Sequence, residues 1–339
     1  MRRFTMFVAA IVACFAFAAP PLHAQAPEKP KLVVAVGGKT LFYYLPLSIA
    51  VQNGYFKAEG LDVELQDFPG GARALQALLG GSADITSGAY EHTITQQAKG
   101  QNIELIFLQG KYSAIELVMS KANAEKYKGP TDLKGMKIGV TAPGSSTNMF
   151  VNILLAKVGL KPDDVSIIGA GASGGAVAVM QRGELDALAN LDPVVAQLES
   201  QGFVSVIDTR TAKGMQEVYG GAYAAGSIYV PVEFPKKYPN TTQAFVNAMM
   251  RALRFIQHST PDQIVAAVPT DYYADKALYK AALEKNLESF QHDGAMGMEA
   301  ARNVYRDLKS FDPQVQSATV DLSKTFDSSF AVKAAQKYK

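Results

Sequence analysis

The sequence is almost free of cysteine. Its 339 residues contain one, Cys14, which lies in an N-terminal apolar stretch that we expect to be removed. The mature chain would then carry no disulfide, and an exported protein without disulfides must rely on a large hydrophobic core. Apolar residues make up 48% of the chain, which is enough for such a core in roughly two domains.

A surplus of charge of either sign is also missing. The chain has 33 Lys and Arg against 31 Asp and Glu, and the two become equal in number once Arg2 and Arg3 are removed with the N-terminal stretch. No basic block points to nucleic acid or to a membrane surface. The molecule that the protein recognises is therefore expected to be small.

The sequence also lacks the residue clusters and motifs that are typical of catalytic sites. The histidines beyond the N-terminal stretch, His92, His258 and His292, are scattered and form no cluster at metal-ligand spacing. The segment "GASGG" (171–175) is not a Gly-x-Ser-x-Gly nucleophile elbow. The longer "GAGASGG" (169–175) lacks the acidic residue that a dinucleotide site needs. We expect no enzyme activity, no metal and no cofactor.

The first residues have the layout of a secretory signal peptide. Two arginines precede an apolar run over 7–19, and Pro20 and Pro21 interrupt it before small residues. The run is too short for a transmembrane span. We expect cleavage after Ala24, which makes 1–24 the signal peptide and the mature protein an exported one. A lipid anchor on Cys14 is a less favoured alternative, because the apolar run continues past that residue.

Strand and helix patterns alternate along the first two thirds of the chain. Strands are predicted at 31–36, 61–68, 83–86, 103–109, 135–140 and 165–170, with helical spacing between most of them. Strict alternation is typical of a parallel sheet covered by helices on both faces. From Pro235 onward, the pattern is almost wholly helical. The fold class is therefore α/β.

One unit of the pattern recurs. "GGARALQALLGGSADI" (70–85) and "GGAVAVMQRGELDAL" (174–188) both have Gly-Gly-Ala, a helix, a glycine and, three positions later, an aspartate. Two similar units suggest two lobes, each a doubly wound and mostly parallel sheet. We expect the chain to cross between the lobes near 110–114 and 222–228. Lobe 1 would contain 27–112 and 227–339 with the C-terminal helices, lobe 2 would contain 113–226, and the two crossings would form a hinge.

Four small polar residues stand where a strand passes into a helix, in "GVTAPGSSTNMF" (139–150). Helix capping needs only one of them. Hydroxyls, free N–H groups and the positive end of a helix dipole together favour a small anion. Both interpretations remain open from this segment alone.

Other loops at predicted strand ends are rich in glycine and aromatics. Ligands of doubly wound sheets bind at the carboxyl ends of the strands, so these loops supply the remaining candidates. The aromatic side chains suggest a flat or apolar ligand body. The candidate ligand-binding residues are Lys39, Thr40, Phe42, Tyr43, Gly70, Gly71, Gly88, Ala89, Tyr90, Ser145, Ser146, Thr147, Ser173, Asn190 and Asp192.

Several candidates also have a purely structural interpretation. Phe42 and Tyr43 can anchor the following helix in the core, and Lys39 can be solvated. Asp192 stands before a proline at a usual helix entry. Glu91 can stabilise a helix N-terminus, and Asp84 and Asp186 are expected to fix turns.

Four segments resemble the nitrate/sulfonate/taurine family of periplasmic ABC-transporter substrate-binding proteins. They are "NGYFKAEGLDVEL" (53–65), "ALQALLGGSADIT" (74–86), "TDLKGMKIGV" (131–140) and "GELDALANLDP" (183–193). The similarity covers roughly 31–235. It implies a type II two-lobed fold that closes on a small molecule and delivers it to an ABC permease and its ATPase, with the protein acting as a monomer.

The resemblance further implies that the helix start at Ser145–Thr147 holds the anionic end of a sulfonate or carboxylate. The segment "GGKTLFYY" (37–44) is richer in aromatics than a simple anion pocket needs, so the ligand's identity does not carry over. Two alternatives stay open. One is a sensory protein that docks on a receptor kinase, and the other, less favoured, is an enzyme like those that make the pyrimidine precursor of thiamine.

Overall fold

The computed structural model of the protein describes residues 26–339. The predicted signal peptide, its cleavage site and Cys14 lie outside the described residues. No helix within 26–339 combines the length and the apolar character needed to cross a bilayer.

The chain first builds strands and helices in turn, as the sequence predicts. These elements are β1 Lys31–Val36, α1 Leu45–Gln52, α2 Tyr55–Ala58, β2 Asp62–Asp67, α3 Gly71–Leu79, β3 Ile85–Ala89, α4 Glu91–Ala98 and β4 Ile103–Leu108.

A second series follows with the same alternation. It comprises β5 Glu116–Met119, α5 Lys121–Lys126, β6 Lys137–Val140, α6 Ser146–Lys157, β7 Ser166–Gly169, α7 Gly174–Gln181, β8 Ala187–Asn190, α8 Val194–Glu199, β9 Val204–Asp208 and α9 Ala212–Tyr219.

One further strand and a set of helices complete the chain. They are β10 Gly226–Pro231, α10 Glu233–Lys237, α11 Pro239–His258, α12 Pro261–Ala266, α13 Lys276–Asn286, α14 Met298–Lys309, α15 Pro313–Ser317 and α16 Ser329–Lys337.

The strands within 26–339 form two five-stranded sheets with related orders. The first sheet runs β2-β1-β3-β10-β4 and the second runs β7-β6-β8-β5-β9. We call the body built on the first sheet lobe 1 (26–108 and 226–339) and the body built on the second sheet lobe 2 (116–219). The α/β fold with two sheets is as predicted.

Each sheet is mostly parallel, as the sequence predicts, with one antiparallel strand that makes it mixed. β10 is antiparallel to both β3 and β4, and β5 is antiparallel to both β8 and β9. The other pairs are parallel. The exceptions have a common origin, because β5 and β10 are the strands through which the chain enters one lobe from the other. Each therefore arrives from the opposite end of the sheet.

The repeated sequence unit performs the same structural task in both lobes. A carboxylate oxygen of Asp84 accepts a hydrogen bond from the backbone N–H of Val33 in β1 at 3.0 Å. Asp186 accepts from the N–H of Lys137, at the start of β6, at 2.8 Å. Each aspartate thus fixes the turn that leads into the next parallel strand, as expected from the sequence.

The chain passes between the lobes twice, between β4 and β5 and again between α9 and β10. The two crossings are adjacent, because the N–H of Gly110 donates to the carbonyl of Gly226 at 3.1 Å and the N–H of Ala225 donates to the carbonyl of Gly110 at 3.2 Å. Paired crossing segments of this kind allow one lobe to rotate against the other.

The C-terminal helices cover lobe 1 and also reach lobe 2. The long helix α11 packs on α1 and α16, and the rings of Phe56 and Phe245 lie 4.7 Å apart in this core. α13 contacts α8 of lobe 2, and α14 contacts both α4 and α6. These two helices therefore span the interface between the lobes.

Candidate ligand-binding site

Strand ends of the two sheets face each other across the interlobe interface. The N–H of Phe42 donates to the carbonyl oxygen of Asp192 at 3.0 Å, and the N–H of Ala72 donates to Oγ of Ser145 at 2.9 Å. On the same interface, Nε2 of His92 lies 3.2 Å from the carbonyl oxygen of Gly144. Direct bonds at three places show that the lobes are closed on each other.

Glycine makes this close approach possible. A Cβ atom on Gly70 would lie 2.9 Å from Cβ of Ala142 and 3.0 Å from Oγ of Ser145, which is closer than carbon atoms pack. Gly70 has extended backbone angles, so its lack of a side chain is required for space rather than for conformation. A Cβ atom on Gly37 would clash with the backbone nitrogen of Gly71, the first residue of α3, so Gly37 also has no room for a side chain.

The polar side chains of "GSSTN" (144–148) make different hydrogen bonds. Ser145 is the N-cap of α6, but its side chain makes no cap bond and instead accepts the bond from lobe 1. Oγ1 of Thr147 accepts from the N–H of Thr141 at 3.0 Å, and Oδ1 of Asn148 accepts from the N–H of Gly144 at 2.9 Å. Plain capping therefore does not account for this segment.

Ser146 is the member of the segment that faces an aromatic side chain of the other lobe. Burial and then the Glu91 carboxylate hold the pKa of Tyr43 well above its usual range, against a smaller lowering effect of the Ser146 hydroxyl. Tyr43 packs on Gly226, where the second crossing joins β10. Tyr43 and Ser146 therefore meet beside the hinge, with Tyr43 as a neutral phenol.

The other residues of the first loop lie around this point. The Phe42 ring is buried edge-on against Tyr279 of α13 at 4.7 Å. The Lys39 ammonium lies 5.9 Å from the centre of the Tyr272 ring, and the Lys39 N–H donates to Asp67 at 2.8 Å. Lys39 and Thr40 are half-buried.

At the end of β3, Gly88 and Ala89 are paired to β10 in the sheet. Gly88 packs against the Tyr229 hydroxyl. The fully buried Tyr90 bonds through its hydroxyl to Oγ1 of Thr325 at 2.5 Å, so its ring contributes to the core of lobe 1.

The candidates from lobe 2 fall into two groups. Ser173 is exposed at the start of α7. Asn190 and Asp192 are fully buried, and Nδ2 of Asn190 donates to the carbonyl of Gly171 at 3.0 Å. Asp192 accepts from the Arg210 guanidinium at 3.0 Å and from Nδ2 of Asn286 on α13 at 2.7 Å. Asp192 therefore links lobe 2 to a helix of lobe 1.

Two neighbouring residues at the start of α4 have strongly shifted pKa values. Burial raises the pKa of Glu91 to about 7, against the lowering effect of its hydrogen bonds. Burial lowers the pKa of His92 to about 4. Nδ1 of His92 lies 3.0 Å from the Tyr229 hydroxyl. At neutral pH, His92 is uncharged and Glu91 is close to its titration midpoint.

Sequence reasoning gave no ligand role to several residues of this region. Tyr219 ends α9 and Tyr223 lies in the second crossing, with their ring centres 4.1 Å apart. Arg210 and Asn286 come from distant segments. None of them belongs to a sequence motif, and for Glu91 the sequence predicts only a charge that stabilises a helix N-terminus. In residues 26–339, no group of three or more His, Cys, Asp or Glu side chains is arranged to hold a metal ion.

Comparisons with known proteins identify the family and the fold of the chain. The sequence model of the family described as NMT1/THI5 like matches residues 42–264. The chain is 22% identical over 279 residues to the 4-amino-5-hydroxymethyl-2-methylpyrimidine phosphate synthase THI13 of Saccharomyces cerevisiae, covering 79% of this chain and 77% of the synthase.

Two solved structures extend the comparison. A protein of Bordetella bronchiseptica RB50 is 49% identical with a TM-score of 0.89, covering 93% of this chain and 99% of that one. The alkanesulfonate-binding protein SsuA of Xanthomonas axonopodis pv. citri, bound to MOPS, is 17% identical with a TM-score of 0.73, covering 90% of this chain and 100% of that one. The predicted resemblance to periplasmic substrate-binding proteins is thereby confirmed for the fold, and the chain belongs to the NMT1/THI5-like family.

Proposed function

We propose that the protein is the periplasmic substrate-binding component of an ABC importer. It captures a small organic anion between its lobes and delivers it to a permease. The observation that carries this proposal is the direct bonding of the two lobes at the start of α6, where Oγ of Ser145 accepts from the N–H of Ala72, beside two paired crossing segments. A ligand held there contacts both lobes and favours their closure.

The preference for an anion follows from the start of α6. The first N–H groups of a helix have no partner inside it, and no acceptor among the described residues bonds the backbone N–H of Ser146 or Thr147. The twelve-residue helix adds the positive end of its dipole. A carboxylate or sulfonate placed there would bind these N–H groups and the Ser146 hydroxyl, while its apolar part would pack on Tyr43.

A ligand screen followed by one substitution tests the proposal. Carboxylates, sulfonates, nitrate, bicarbonate and pyrimidines are screened by thermal shift, and the best ligand is titrated calorimetrically into the wild type and Ser146→Ala. We expect affinity to fall about ten- to a hundredfold, as for the loss of a charge-assisted hydrogen bond.

Ser166→Ala, at an exposed position of β7, is the matched control and should bind as the wild type does. A neutral or cationic best ligand, or unchanged affinity in Ser146→Ala, would contradict an anion seat at α6. Mass spectrometry of the exported protein should find Gln25 at the N-terminus. An intact N-terminus or a lipidated Cys14 would contradict a free periplasmic protein.

The similarity to the yeast synthase supports a second candidate, an enzyme that acts on a pyrimidine precursor. The same screen separates the two. A pyrimidine that binds and is recovered unchanged by mass spectrometry agrees with transport, whereas its chemical conversion by the purified protein would favour the enzyme. Permease and ATPase genes beside the coding sequence would favour transport over a sensory role.

A further inference from the structure

Glu91 differs from the other buried carboxylates of the protein. Within residues 26–339, four carboxylate side chains are buried, and three of them pair with an arginine. Glu116 and Asp192 lie 2.8 and 3.0 Å from the Arg210 guanidinium, and Asp307 lies 2.8 Å from that of Arg306. The fourth, Glu91, is 2% exposed and has no salt-bridge partner among the described side chains.

The two oxygens of Glu91 are not equivalent. Oε1 accepts a hydrogen bond from the Tyr223 hydroxyl at 3.2 Å, whereas Oε2 is buried without any hydrogen-bond partner. A stabilising charge at the start of α4 explains why a carboxylate is present at this position. That charge does not explain why Oε2 is buried without a hydrogen-bond partner. Leaving a buried acceptor unsatisfied costs about 1–3 kcal/mol.

The surroundings of Glu91 lead to the candidate site. Tyr223 belongs to the second crossing and stacks on Tyr219, whose hydroxyl donates to Oγ of Ser113 in the first crossing at 2.9 Å. The Glu91 charge also acts on Tyr43, which packs on Gly226 and faces Ser146. The carboxyl group therefore lies at the hinge end of the same interlobe region, among neutral phenols.

We propose that Glu91 is a specificity-determining residue, whose Oε2 accepts a hydrogen bond from an N–H group of the ligand. This inference rests on the proposed binding function and narrows its ligand class. The ligand is a small compound with an anionic group for the start of α6 and an amine, amidine or amide nitrogen at its other end. A donor nitrogen supplies the partner that the fold does not provide for Oε2, and a cationic nitrogen also supplies the countercharge.

Matched pairs of probes test this inference by calorimetry. The pairs are benzoate and 4-aminobenzoate, propanoate and 3-aminopropanoate, and ethanesulfonate and 2-aminoethanesulfonate. For at least one pair, we expect the wild type to bind the amino compound more tightly by about tenfold to a hundredfold. Glu91→Gln should remove most of this preference and leave the amine-free compound within about threefold of wild-type affinity.

Three further variants make the result specific. Glu64→Gln, the same substitution at an exposed position of β2, should keep the preference. Ser146→Ala should weaken both members of a pair alike, because it acts on the anionic end. Glu91→Asp keeps the charge but withdraws the oxygens by one methylene, so it should lower the preference even if Glu91→Gln does not fold.

The outcomes separate this inference from the proposed function. Equal or tighter binding of the amine-free compound in every pair, or equal weakening of both members by Glu91→Gln, would overturn the role of Glu91 and leave anion binding in place. Binding of no probe by the wild type would contradict both.

Discussion

The opposite pKa shifts of Glu91 and His92 should be visible in the stability of the ligand-free protein. In the folded state, Glu91 holds its proton up to a pKa of about 7, whereas an unfolded glutamate releases it near its ordinary value of 4.5. Between these values the unfolded chain binds fewer protons, so stability falls as pH rises. Each pKa unit corresponds to about 1.4 kcal/mol, and the shift therefore amounts to about 3 kcal/mol.

His92 acts in the reverse direction. It is neutral in the folded protein down to a pKa of about 4, whereas an unfolded histidine takes up a proton below its ordinary value of 6.5. Between these values the unfolded chain binds more protons, so stability falls as pH falls, again by about 3 kcal/mol in total. The two contributions nearly cancel over the pH range that they share.

Single substitutions should reveal each contribution separately. Free energies of unfolding are measured by urea titration from pH 4 to pH 8 for the wild type, Glu91→Gln and His92→Gln. The stability of Glu91→Gln relative to the wild type should increase by about 3 kcal/mol from pH 4 to pH 8, and that of His92→Gln should increase by about 3 kcal/mol from pH 8 to pH 4. The difference in unfolding free energy between variant and wild type cancels the contributions of the other titrating groups. One of these is the half-buried Glu104, whose pKa is also raised to about 7.

A curve for Glu91→Gln that runs parallel to that of the wild type would refute this reasoning. It would mean that Glu91 titrates near its ordinary pKa and is therefore hydrated or paired with a cation. The argument for a ligand nitrogen at Oε2 would then lose its physical basis.

Two further substitutions test the closed interface. Gly70→Ala places a Cβ 2.9 Å from that of Ala142 without straining the backbone. Calorimetry should therefore show at least about tenfold weaker ligand binding, with an almost unchanged melting temperature. Unchanged affinity would contradict contact between the lobes at this point. Arg210→Met leaves Glu116 and Asp192 buried without their cation, so urea titration should show a free energy of unfolding lower by about 3–5 kcal/mol. A decrease below about 1 kcal/mol, the range of a surface ion pair, would contradict a buried network.

Local patterns were sufficient for much of the fold. The strand at Lys31–Val36 and the helix start at Ser146 follow from hydrophobic periodicity and from the residues that end such elements. The equivalence of Asp84 and Asp186 follows from the spacing within the repeat. These features depend on residues close together in the sequence, so they can be predicted from the sequence alone.

The direction of β5 and β10 and the composition of the site could not be obtained in this way. Glu91 becomes exceptional only because no arginine of the described chain lies beside it, as one does beside the other buried carboxylates, while Tyr223, far along the chain, bonds one of its oxygens. Asp192 has a usual helix-entry sequence, yet it bonds Asn286 in the opposite lobe. Such contacts are set by the way in which the lobes meet, and no local pattern encodes them.

Small-angle X-ray scattering of the mature protein, with and without a saturating concentration of the best ligand from the screen, tests the central claim most directly. Ligand binding in a closing interlobe cleft requires the radius of gyration to fall on saturation, toward about 20 Å for a compact chain of this length. The scattering curve of the saturated protein should match the closed structure. An unchanged radius, in a sample whose ligand binding is demonstrated by calorimetry, would contradict a binding site between two moving lobes.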